Sequence, residues 1–464
     1  MMDLGIGNEE LINMGIISAL FLGIFTTAEV LRLTIKPKVE VTRKFVHFAG
    51  GMVTLSFSYV FDTHWAVLIM CIGFVAVLYS TKKLNLLESV HGIDRPSSGG
   101  IFFPFAVYIT WFFADYNGQP DYYLIGMLIL SISDSMAALV GTNYGRFLFL
   151  VEKERKSVEG TIIFMLVTFL ITEQGMLHLT EVGAVKASLC GLYITILITG
   201  FELLSLKGSD NLFIPIGTVY ILIRYPTQTE AEMIFQLFLL TAIMIGFIAT
   251  GKWTKVFGFS GLVGIGLMAY GAWALVEFPW FIPVLTGFLL ANFSPWFKPL
   301  QDKDYEKMRI RTVFYLVAIM FGWILIVNLF LDLQAFLIVP YLFSFITVMD
   351  IFWRRRIKLI DENDSESHKR MAQPPVWLRV IILFIIFYPI QRYFYSDLNL
   401  LAASVTVIPT GILYTHYSER MYSKIKEAYV RIDVMRYNLS ISFAFSLLVL
   451  AIYYGVLKGL ALWL

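Results

Sequence analysis

Tyr122-Tyr-Leu-Ile-Gly-Met-Leu-Ile-Leu-Ser-Ile-Ser-Asp134-Ser-Met-Ala-Ala-Leu-Val-Gly141 is a stretch of twenty residues with one charge. A helix of about 20 apolar residues is about 30 Å long, the thickness of a bilayer's hydrocarbon core. The stretch therefore reads as a membrane-spanning helix. Asp134 lies about two turns from its end, where a carboxylate costs about 2.5–3.5 kcal/mol to insert. A charge kept at that cost is a functional candidate, set against the plainer reading of a carboxylate paired with a neighbouring helix.

The rest of the chain has the same character. Of 464 residues, 58% are hydrophobic, 16% aromatic and only 15% charged, with a mean hydropathy of +0.72. Soluble proteins average about 25% charged and 45–50% apolar residues. That composition excludes a soluble enzyme, a disordered chain and a nucleic-acid binder. Cys71 and Cys190 each sit in an apolar run, with neither a disulfide framework nor a metal-ligand spacing. The first apolar run follows the acidic Asn8-Glu9-Glu10, not a basic leader.

Apolar segments recur at roughly 11–31, 45–61, 65–80, 100–114, 122–141, 159–176, 184–205, 211–224, 233–250, 261–276, 279–293, 312–331, 333–351, 376–391, 398–414 and 439–458. The expectation is an all-α, polytopic membrane bundle of about sixteen helices. Lys and Arg in short loops mark the cytoplasmic side. With the first loop cytoplasmic and sixteen alternating spans, 32 of the 36 basic residues fall on that side. Lys186, Arg224, Arg392 and Lys458 are the exceptions, and both termini become extracytoplasmic. The sequence divides into residues 1–293, which contain the polar groups near or inside the membrane, and 294–464, a further helical region of unassigned role.

Four polar clusters follow, all at the cytoplasmic ends of spans. Asp134 is followed by Gly141-Thr-Asn143-Tyr-Gly145-Arg146 and by Lys156-Ser157-Val-Glu159-Gly160-Thr161. Glycine-bearing turns let backbone N–H groups approach an anion, and a helix N-terminus binds phosphate. Arg146 and Lys156 add positive charge, and a carboxylate can hold Mg²⁺ beside nucleotide phosphates. Thr42-Arg43-Lys44-Phe-Val-His47-Phe-Ala-Gly-Gly51 places Arg43 and Lys44 on the same helix face as His47. Snorkelling explains the first two but not His47, one turn deeper. Asp94-Arg95-Pro-Ser-Ser-Gly-Gly-Ile-Phe-Phe-Pro104 is a turn-rich helix entry. Last come Glu202, near a span end, and Lys207-Gly-Ser-Asp210-Asn211, which a simple helix cap would also explain.

In order and spacing, these blocks resemble the CTP-dependent lipid-alcohol kinases (dolichol, phytol and yeast-type diacylglycerol kinases) over roughly residues 40–225. The long Lys-Asp…His-Gly-Gly…Asp-Arg signature of the related cytidylyltransferases is not found in the sequence. Where bacterial members often have Gly-Glu-Ile, this chain has Gly99-Gly100-Ile101. The resemblance implies transfer of the γ-phosphoryl of CTP to a long-chain membrane alcohol, at a site facing the cytoplasm. It implies Asp134, Lys156, Glu159 and His47 as catalytic residues. Nucleotide phosphates would be held by Arg43, Lys44, Arg95, Gly141, Asn143, Gly145, Arg146, Ser157, Gly160 and Thr161. Mg²⁺ would be held by Asp134, Glu202, Asp210 and Asn211. The rival reading is a transporter of a lipid or small polar solute, since intramembrane carboxylates near glycine breaks suit a carrier. Against it, the clusters lie at one face and not at the midplane. The sequence sets neither the alcohol nor the oligomeric state.

Overall fold

The computed structural model describes residues 5–37, 39–84, 86–92, 99–151, 154–205, 208–254, 256–293, 310–361, 380–381, 385, 388–390, 392–393, 397–424 and 432–463. Two compact units divide the chain, Met1–Thr241 and Ala242–Leu464. In the first, α1 (Asn8–Thr34), α2 (Val39–Thr54), the single turn α3 (Phe57–Val60), α4 (His64–Lys83), the single turn α5 (Glu88–His91), α6 (Gly99–Tyr116), α7 (Pro120–Leu128) and α8 (Asp134–Tyr144) precede a hairpin of β1 (Leu148–Val151) and β2 (Glu154–Ser157). The helices α9 (Val158–Leu179), α10 (Ala184–Leu204), α11 (Asp210–Arg224) and α12 (Glu230–Ala249) follow, the last of them spanning the division. In the second unit, α13 (Phe259–Leu275), α14 (Phe278–Phe293), α15 (Ile310–Leu329), α16 (Gln334–Asp361), α17 (Asp397–Lys424) and α18 (Ile432–Trp463) are helical.

Among the described residues, nine helical stretches are long and apolar enough to cross a membrane, with α7 and α8 counted together as Pro120–Tyr144. The architecture is thus a helical membrane bundle. Two of the expected spans, α2 and α11, are only 16 and 15 residues long, and α2 is rich in charge. The hairpin is the one departure from an all-helical chain among the described residues.

In the first unit α9 lies along α10, and α11 packs against α6, α7 and α10. The outer helix α1 covers α2 and α4. Its buried Glu10 accepts hydrogen bonds from the Asp62 and Thr63 backbone N–H groups at 3.0 and 2.9 Å, fixing α1 to the start of α4. In the second unit α13 packs on α14 and α15, and α16 on α15, α17 and α18. There the buried Tyr341 hydroxyl donates to the Trp280 carbonyl at 2.6 Å.

The feature that positions the site is the join between α7 and α8. Residues Ile129–Ser133 wind as a π turn without breaking the helix. A π turn inserts an extra residue into the helical repeat and leaves a backbone carbonyl off the regular ladder; such turns are frequent at functional sites. Here the turn ends at Asp134.

Candidate active site

Helix α2 lies against the π turn. Contact at this distance depends on Gly51: a Cβ there would sit 1.8 Å from Ser131 Oγ and 2.6 Å from Ser131 Cβ. One turn earlier, His47 Nε2 donates to the Leu130 carbonyl at 3.2 Å, capturing an oxygen of the π turn. The same nitrogen lies 3.4 Å from Asp134 Oδ2. Lys44 Nζ is 2.5 Å from that oxygen. Lys44 is 8% exposed and Asp134 7%, so the pair is nearly closed off from solvent. Thr42 pins the start of α2 by donating to the Ser89 carbonyl at 2.9 Å. Arg43 grips Glu40 with Nη2 at 2.5 Å and Nε at 3.2 Å.

The hairpin supplies the second cation. Its antiparallel register sets Lys156 opposite Phe149 and Ser157 opposite Leu148. Lys156 Nζ donates to the Glu202 backbone carbonyl and, at 2.8 Å, to its Oε1. Glu202 Oε2 is buried and has no hydrogen-bond partner among the described residues. Ser157 caps α9 by accepting from the Gly160 N–H at 3.1 Å, and Thr161 Oγ1 donates to the Ser157 carbonyl at 3.1 Å. The glycines here serve close packing: a Cβ on Gly145 would meet the Gly141 carbonyl at 2.3 Å, and one on Gly160 the Ala137 carbonyl at 2.9 Å. The Glu159 carboxylate accepts from the Arg146 and Phe147 N–H groups at 2.9 and 3.2 Å, tying the hairpin base to α9.

Two cavities meet at the Lys44–Asp134 pair. The larger, about 430 Å³, is walled by Phe21, Phe25, Phe57, Cys71, Phe74, Phe103 and Val107, with His47 and Asn211 among its polar lining. The smaller, about 180 Å³, is polar and is lined by Glu40, Lys156, Ser157, Gly141, Gly160, Thr161 and Glu202. Arg43, Lys44, Asp134, Gly208 and Asp210 line both.

Most of the residues singled out from the sequence therefore converge on these cavities. Asn143, Gly145, Arg146 and Glu159 line neither. Asp210 lines both and accepts from the Asn211 N–H at 3.1 Å, while Asn211 Nδ2 donates to the Gly99 carbonyl at 3.1 Å. Arg95 lies outside the described residues. Glu40 was missed, although its position three residues before Arg43 on one helix face was a signal for it.

Comparison with known proteins adds one finding. Over 209 residues, 44% of this chain and 88% of the relative, the sequence is 32% identical to a phytol kinase of Synechocystis sp.. The chain belongs to the lipid-alcohol kinase family. No family model matches it, and no solved structure does. Kinases of this family act on lipid alcohols, and the structure sets an apolar cavity beside a polar one with a buried lysine–carboxylate pair between them.

Among the described residues, no three His, Cys, Asp or Glu side chains gather as a cage for a metal. A divalent cation here would therefore take one or two carboxylates together with phosphate oxygens, the usual manner of Mg²⁺. Asp134 and Asp210 supply hard oxygen donors to both cavities, and Glu202 Oε2, which has no hydrogen-bond partner among the described residues, supplies one to the polar cavity. The donor set fits such an ion.

Proposed function

We propose that this lipid-alcohol kinase moves the γ-phosphoryl group of CTP to the hydroxyl of a long-chain alcohol, at the cytoplasmic ends of α2, α8 and α9. The observation behind this reading is the junction of the two cavities at Lys44 and Asp134. The apolar cavity suits an alkyl or isoprenoid chain that enters from the bilayer. The polar cavity suits a triphosphate, which arrives from water. The two reactants then meet at one buried carboxylate.

Phosphoryl transfer needs positioning and neutralised charge more than covalent assistance. Lys156 and Lys44 are the cations placed to meet the phosphate oxygens, with Arg43 held in reserve by Glu40. Gly141, Ser157, Gly160 and Thr161 shape the polar wall. Asp134, with His47 beside it, faces the apolar cavity and is placed to accept the alcohol's hydrogen bond and hold its oxygen in line. Asp134 and Asp210, with Glu202 nearby, are the residues that would hold Mg²⁺, which when bound would supply neutralisation of phosphate charge. The new bond joins the alcohol oxygen to the γ-phosphorus, the bond from that phosphorus to the β-bridging oxygen breaks, CDP leaves, and the proton of the hydroxyl is released to water. Glu159 acts as a positioning residue, since its carboxylate holds the hairpin base. A sixteen-span topology with both termini extracytoplasmic, the arrangement that the loop charges favour, would set this site at the cytoplasmic face. Catalysis is assigned to residues 1–293, which hold every phosphate-handling residue named above.

The test is transfer of label from γ-labelled CTP or ATP to phytol, a polyprenol or diacylglycerol by the purified chain. Asp134→Asn keeps the shape and removes the charge, and should abolish transfer without preventing insertion. Turnover near that of the unchanged protein would show that Asp134 is structural. A preference for ATP would remove CTP from the proposal.

A further inference from the structure

Five carboxylates line the polar cavity among the described residues: Glu40, Asp134, Glu154, Glu202 and Asp210. Like charge disfavours a carboxylate beside phosphate, so each of the five has to be accounted for. Glu40 is held by Arg43, Asp134 by Lys44 and Glu202 by Lys156. Asp210 lines both cavities and, with Asp134 and Glu202, is an oxygen donor for a cation. Neither phosphate neutralisation nor cation binding has a use for Glu154. A carboxylate at that position suits a part of the nucleotide that is uncharged and donates hydrogen bonds.

The hairpin sets where that part lies. Ser157, at the α9 end of β2, caps the helix by accepting from the Gly160 N–H. Lys156 comes next and reaches Glu202. Glu154 opens the strand and is half-buried. Side chains alternate across a strand, so Glu154 leaves the hairpin on the same side as Lys156 and about 6.5 Å farther from α9. Arg155, between the two, lines the cavity as well. Glu154 and Arg155 therefore bring hydrogen-bond acceptors and donors, respectively, to the same end of β2.

We propose that Glu154 reads the base of the nucleotide: its carboxylate accepts from the exocyclic 4-amino group of cytosine, while Arg155 donates to the ring acceptors N3 and O2. The inference rests on CTP as the phosphoryl donor. With the γ-phosphate at Lys44 and Asp134 and the phosphate chain beside Lys156, the base lies beyond Lys156, along the part of β2 that Glu154 begins. Pairing of a carboxylate with the cytosine amine is a recurrent way of selecting this base. Uracil has a carbonyl oxygen in place of the amine. That oxygen would face Glu154 as acceptor against acceptor, leaving both without a hydrogen bond. One strand then has two tasks. Lys156 meets phosphate, and Glu154 two residues away decides which nucleotide supplies it.

The test is kcat/KM for CTP and for UTP, with the full chain in nanodiscs and one fixed lipid alcohol, for the unchanged protein and for Glu154→Gln. The glutamine amide keeps the shape and can turn either its oxygen or its NH₂ group to the base. The CTP-to-UTP ratio should fall about tenfold or more, through weaker use of CTP and better use of UTP. Inorganic tripolyphosphate, which has no base, should inhibit the two proteins almost equally, which also shows that the variant's phosphate site is folded. An unchanged ratio overturns the proposal and leaves CTP as the donor. A parallel gain for CTP, UTP and tripolyphosphate also overturns it, since Glu154 would then be only a charge in the cavity. If the unchanged protein takes UTP or ATP as readily as CTP, the donor reading itself falls, before any variant is compared.

Discussion

Replacing Lys44 by Met should destabilise the protein far more than loss of an ordinary surface charge. At 2.5 Å and an effective dielectric of about 20, the attraction between Lys44 and Asp134 is about 7 kcal/mol before desolvation is subtracted. Removing one partner of a buried pair leaves the other charge without compensation and typically costs about 3–5 kcal/mol. His47, at 3.4 Å, supplies part of the missing compensation, so the lower half of that range is expected. A compact body of 150–250 residues loses about 2–4 °C of melting temperature per kcal/mol, and the first unit runs from Met1 to Thr241. The fall should therefore be about 6–16 °C. Adding Asp134→Asn removes the stranded charge, so the double variant should melt above Lys44→Met while remaining catalytically dead. The assay is thermal denaturation in detergent for the two single variants and the double, with phosphoryl transfer measured in parallel. A Lys44→Met loss below about 1 kcal/mol, or a double variant showing the plain sum of the single losses, would refute the argument that these charges are buried against each other.

Gly51→Ala should cost about 1–3 kcal/mol by forcing α2 away from the π turn, and Ser131→Gly should restore more of the lost melting temperature than Ser131→Ala, because Ser131 Cβ is itself too close at 2.6 Å. Cys71→Trp, in the wall of the apolar cavity, should shift preference toward shorter alcohols, read as kcat/KM against chain length; an unchanged profile would remove Cys71 from the lipid path. Cysteine labelling should find residues 153 and 354 both accessible from the cytoplasmic side, and either one outside would break the sixteen-span alternation.

Apolar run length marked the nine helical stretches that are long and apolar enough to cross a membrane among the described residues, because the bilayer sets a length that no soluble helix has to meet. Asp134 stood out for the same reason. Its partner did not: Lys44 and Asp134 are 90 residues apart, and composition gives no distance across a bundle, so Lys44 read as a phosphate ligand only. The π turn was hidden because Ser131 and Ser133 look the same in a regular helix as in a wide one. The hairpin was hidden because Leu148-Phe-Leu-Val151 followed by charges has no β-turn signature of its own, and only pairing across the turn makes it a sheet. Glu159 read as a catalytic residue through the family resemblance. Its actual partners are backbone N–H groups twelve and thirteen residues earlier, which the intervening hairpin brings back to the start of α9.

The π turn also makes the chain's length at this point as consequential as its composition. Each residue of an α-helix advances about 100° around the axis and 1.5 Å along it. Deleting any one of Ile129–Ser133 would let the ladder close as ordinary α-helix and turn α8 by roughly 100° relative to α7. The apolar character of the segment would scarcely change, and it would insert as before. Asp134, however, would be swung off the azimuth of α2, and the close approach of Gly160 to the Ala137 carbonyl would be rotated with it. Substitutions within 129–133 should therefore be tolerated according to size, while a one-residue deletion there should leave an inserted helix whose two ends are out of phase.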